Sequence, residues 1–142
     1  MGLYVISIVM AVAANVLYHF IQKSTPGNVS PLVSLFVTYI TAALTCALFL
    51  PFYPAGEPLV AAVKKLNWTS AALGVAIVGL EMGFLLAYRS GWNISTAGVV
   101  ANVIVALILI PIGILVFKEH LKLVHAAGIL LCIGGLVLIT RK

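Results

Sequence analysis

Residues 68–89, WTSAALGVAIVGLEMGFLLAYR, form an apolar run of the length that crosses a bilayer as a helix, about 20 residues. Well inside the run stands Glu81, the only acidic residue so placed in the chain; Glu57 and Glu119 fall in connections. A charge at that depth costs at least about 2.5–3.5 kcal/mol on insertion scales, which makes an intramembrane acid a functional candidate by default. The other apolar stretches read as a bundle assembled around it.

Composition agrees with that reading. The chain has 142 residues, 63% hydrophobic and 8% charged, with eight basic and three acidic side chains. So few charges cannot cover the surface of a water-soluble domain, and the class is polytopic membrane protein. The net charge of +5 is spread along the chain. It fits contact with lipid headgroups and excludes a nucleic-acid-binding face. Cys46 and Cys132 lie within apolar runs without CxxC or Cys/His spacing, so they read as small apolar filler. Neither a metal site nor a cofactor is expected. The chain also lacks a nucleophile–base pair and a phosphate-binding glycine loop, which argues against an enzyme.

Along the chain, the first helix is expected at about 2–22 and reads as a retained span rather than a cleaved leader. Asn15, Tyr18, His19 and Gln22 recur at i, i+3, i+4 and i+7 and share one face. In lipid such a stripe must meet protein or a water-filled cavity, so it serves either interhelical hydrogen bonding or a solute path. The second helix is expected over about 31–52, opening at Pro31 and stopped by Pro51 and Pro54-Ala55-Gly56. Its Ser34, Thr38, Thr41 and Thr45 form a hydroxyl face, a pattern that most often bonds its own backbone. Residues 57–66 read as a surface-lying amphipathic segment, with Glu57 and Pro58 suited to a helix start.

The helix at 68–89 follows. Tyr88 shares the face of Glu81, and Arg89 reaches the headgroups by snorkelling. Trp68 and Trp92 read as interfacial anchors, and Asn93 or Ser95 as a cap for the next helix. That helix is expected over about 94–117, with Ser95, Gly98, Asn102 and Ala106 on one small, polar face and Pro111 in its interior. The connection Phe117-Lys118-Glu119-His120 leads to a last helix at about 122–140. Gly128, Cys132 and Gly135 give it a close-packing strip, and Arg141 and Lys142 end it at the headgroups. The sequons at Asn67 and Asn93 read as chance.

Five spans would put Lys64, Lys65, Lys118 and Lys122 on the side of the N-terminus, and Lys23, Arg89, Arg141 and Lys142 on the other. Four basic residues face four, so loop charge sets no orientation. A chain so balanced can insert both ways and pair antiparallel, the two-polypeptide counterpart of an inverted repeat.

Residues 79–142, GLEMGFLLAYRSGWNISTAGVVANVIVALILIPIGILVFKEHLKLVHAAGILLCIGGLVLITRK, resemble the C-terminal part of an EamA domain of the drug/metabolite transporter superfamily. The shared pattern is a tyrosine-containing helix end, a helix opening on small residues and carrying a proline, the FKEH connection, and a glycine-rich last helix. SPLVSLF at 30–36 fits the second helix of the same domain. The resemblance implies one EamA-like domain over 1–142: an all-α bundle of five transmembrane helices. Many relatives carry two such domains, mutually inverted, in one chain. A single domain here implies an antiparallel homodimer or a paralogous partner.

The chain is also similar to the small multidrug resistance branch. The membrane glutamate of that branch falls at Asn15 when AANVLYHFIQK is aligned through its lysine, so the coupling residue does not carry over. The resulting expectation is an integral protein of the plasma or inner membrane that moves small organic metabolites or drug-like compounds by alternating access. Glu81 would exchange protons for the solute, with Asn15, Tyr18, Tyr88 and Asn102 lining the path and His19, Thr38 and Ser95 as secondary candidates. A structural carboxyl bonded to a neighbour such as Tyr88 is the other reading of Glu81. For the protein as a whole, the alternatives are a lipid-carrier flippase subunit acting with a paralogue, or a non-transporting membrane assembly factor.

Overall fold

The computed structural model describes residues 2–52, 56–118, 120 and 123–140. Glu119, Lys122 at the expected start of the last helix, the helix-stopping Pro54 and Ala55, and the closing Arg141 and Lys142 lie outside the described residues.

The described residues are all-α, with no strand among them. Helix α1 spans Gly2–Ser24, α2 Pro31–Phe49, α3 Leu59–Lys64, α4 Trp68–Arg89, α5 Ile94–Leu115 and α6 Leu123–Thr140; a 3-10 turn, Leu50–Phe52, extends α2. Four spans are long and apolar enough to cross a membrane: Gly2–Ser24, Pro31–Phe52, Trp68–Arg89 and Ile94–Leu115. A shorter apolar stretch, Ala127–Thr140, lies in α6.

Local chemistry explains the helix ends. Proline opens α2, where its missing N–H would have had no helical partner. Asn67 caps α4, its Oδ1 accepting from the Thr69 amide at 3.0 Å. This gives one of the two sequon asparagines a folding role. Gly91, at φ +101°, ends α4 in a backbone conformation that other residues adopt only with strain. Asn93 occupies the cap position of α5 but makes no side-chain cap bond. Pro58 stands at the cap of α3 rather than inside it, and the Glu57–Lys65 ion pair flanks that short helix. Helix α5 runs through Pro111 and stops at Leu115, two residues short of the expected end.

The chain divides into two compact units, Met1–Phe20 with Gly91–Lys142, and Ile21–Ser90. In the first, α5 packs on α6. His19 is buried there against Gly98, where an added Cβ would lie 3.6 Å from its Nε2. In the second, α2 packs on α4, and Leu35, Leu85 and Tyr88 are buried. Most other large apolar side chains, among them Leu3, Ile6, Phe36, Val75 and Leu109, are exposed. Lipid tails are as apolar as leucine, so such faces need no protein cover, and close packing rather than water exclusion joins the helices.

Candidate functional site

Glu81 is half-buried on α4, about 12 Å along the axis from Arg89 at 1.5 Å per residue. It lies in the Ile21–Ser90 unit, where the end of α1 meets its helix: Gln22 Nε2 donates to the Glu81 carbonyl at 2.9 Å. Gln22 belongs to the polar stripe of α1, and this contact is interhelical hydrogen bonding of the kind such stripes supply.

One turn beyond Glu81 lies Leu85, only 1% exposed, and then Tyr88, 5% exposed. The Tyr88 ring stacks on Phe84 with centroids 6.1 Å apart. Lys23 Nζ sits 5.4 Å from the Tyr88 ring centroid, a cation–π distance, and donates to the Tyr88 carbonyl at 3.3 Å. Arg89 Nη2 donates to the Pro26 carbonyl at 3.1 Å. Lys23, Leu85, Tyr88 and Arg89, with Gln22, Thr25 and Gly27, line a cleft of about 170 Å³.

Tyr39, which the reading of the sequence passed over, lies on α2 in the same compact unit as Glu81, where α2 packs on α4. Its hydroxyl is buried and finds no hydrogen-bond partner among the described residues. The available signal was its depth: it stands eight residues into α2, whereas tyrosines anchoring a span sit at its ends. Thr38, its neighbour, turns inward on its own helix, Oγ1 donating to the Ser34 carbonyl at 3.0 Å. Thr41 and Thr45 do the same to Val37 and Thr41, at 2.9 and 2.8 Å.

The remaining candidates belong to the other unit. Asn15, Ser95 and Asn102 are exposed, Tyr18 is half-buried, and the Tyr18 and His19 rings meet edge to face at 5.1 Å. Glu81, Tyr88 and Thr38 therefore share one compact unit, and Asn15, Tyr18, His19, Ser95 and Asn102 the other.

The profile of the EamA-like transporter family matches residues 2–141, nearly the whole chain. The chain belongs to the EamA-like transporter family. No curated protein and no solved structure matches it. Family membership, taken with four apolar spans, makes this an integral multi-pass membrane protein, a transporter of the drug/metabolite superfamily.

Proposed function

We propose that this EamA-like protein is a secondary transporter that moves small organic metabolites or drug-like compounds by alternating access, with Glu81 as the proton-coupling group. The observation that carries the reading is an acid inside a membrane-crossing helix, half-buried and bound through its own carbonyl by Gln22 of α1. Acids in such helices are rare, face the interior of a bundle or a water-filled cavity, and mark ion or solute paths. The contact ties Glu81 to a neighbouring helix, as a group that answers helix movement should be. Tyr88 and Tyr39, in the same compact unit, are assigned to the solute path beside it, with Thr38 secondary.

In the other unit, Asn15 and Asn102 present amide groups at membrane depth. Hydrocarbon leaves such groups unsatisfied, so a partner subunit or the solute is proposed to meet them. Tyr18 shares that role, and His19 and Ser95 are secondary. The working assembly is an antiparallel homodimer of five-span subunits, α6 being the fifth span. Balanced loop charge supports it.

The test is uptake of a fluorescent organic cation into proteoliposomes under an imposed pH gradient. Wild type should accumulate the dye in proportion to the gradient, and Glu81→Gln should lose that proportionality. Equal coupling in the two proteins would remove Glu81 from the mechanism and leave the transporter reading standing.

A further inference from the structure

The cleft at the shared end of α1 and α4 has features that the transport reading does not use. Two cations, Lys23 and Arg89, line it, and among the described residues no carboxylate does. Both are drawn in over the cleft: Lys23 lies across the Tyr88 ring, and Arg89 folds onto the Pro26 carbonyl. A snorkelling cation would extend toward the water. Arg89 also keeps a buried Nε that meets no acceptor among the described residues. A buried donor on a charged group is costly to leave unmatched, and an acceptor with negative charge would satisfy it best. The guanidinium fork suits a planar pair of oxygens, and the lysine adds a second point charge.

Size narrows the ligand. A volume of about 170 Å³ falls below the roughly 300–1,000 Å³ of pockets that enclose drug-sized molecules. It admits a phosphate group and the first atoms of its ester. The position, at the last turn of two spans, is the depth of phospholipid headgroups.

We propose that this cleft is an oxyanion site that takes a phosphate group, with Arg89 and Lys23 as its charged ligands and Gln22 at its rim. The same chemistry is offered by a lipid headgroup and by a free phosphate, and two probes separate them. The site does not rest on the coupling role of Glu81.

The experiment uses the full chain purified in a non-ionic detergent. Phosphatidylglycerol is added and its retention read by native mass spectrometry, and inorganic phosphate is titrated by calorimetry. At least one probe should bind. Arg89→Gln and Lys23→Gln should each weaken binding about tenfold, and Arg89→Lys, which keeps the charge and loses the fork, by several-fold. Retention of the lipid alone assigns the site to a headgroup; binding of phosphate, with displacement of lipid, assigns it to a soluble anion. Failure of both probes to bind wild type overturns the site. So does equal binding by wild type and by all three variants that elute as wild type on size exclusion. Lys23→Gln and Arg89→Lys keep the test open if Arg89→Gln does not fold.

Discussion

Gln22, in the last turn of α1, donates to the backbone carbonyl of Glu81 on α4 across 2.9 Å. The bond uses a main-chain acceptor, so it holds whatever side chain stands at position 81. Gln22→Leu should therefore lower stability by about 0.6 kcal/mol, with about 1.7 as the upper bound for such bonds in membranes. Glu81→Gln should leave stability nearly unchanged. Reversible unfolding in mixed micelles measures both, and a large loss in Glu81→Gln alone would place the structural role on the carboxyl.

Gly98 lets His19 lie against α5. An added Cβ would meet the imidazole at 3.6 Å, an ordinary contact distance. Gly98→Ala should be neutral or stabilising by up to about 1 kcal/mol, since alanine is the better helix former. Gly98→Leu should cost about 1–3 kcal/mol by overpacking and expel the ring. In thermal melts in detergent, Gly98→Ala should melt at or above the wild-type temperature and Gly98→Leu clearly below it.

Asn67 and Asn93 both precede long helices, but only Asn67 makes a side-chain cap bond. Replacing Asn67 by alanine should cost about 1 kcal/mol, and Asn93→Ala measurably less. Equal losses in the same unfolding assay would contradict the distinction.

Tyr39 holds a buried hydroxyl without a partner among the described residues. Removing it should relieve an unsatisfied group, so Tyr39→Phe should be as stable as wild type or more stable by about 1 kcal/mol. Proton-driven dye uptake, in contrast, should fall several-fold if the hydroxyl serves beside Glu81. A variant unchanged in both assays would remove Tyr39 from the path.

Long apolar runs and a lone interior acid were readable from the residues because lipid imposes length and penalises charge. The apolar run of α4 and Glu81 within it needed nothing else. The Gln22 contact was not readable, since its acceptor is a carbonyl that every residue carries. Tyr39 escaped because its one mark, a depth in α2 where no interfacial anchor sits, does not tell which way its hydroxyl points. The capping role of Asn67 was not singled out, although asparagine before a helix is a usual cap, and its Oδ1 accepts from the Thr69 amide. The Asn15–Gln22 stripe gave the polar face of α1 but not its division, by which His19 meets Gly98 and Gln22 meets Glu81.

The three threonines of α2 have one more effect. With each oxygen folded back onto the helix, the outer side of residues 37–46 shows methyl groups and the Cys46 sulfur. Each hydroxyl is satisfied within its own helix, so three threonines add little to the cost of placing this span in hydrocarbon.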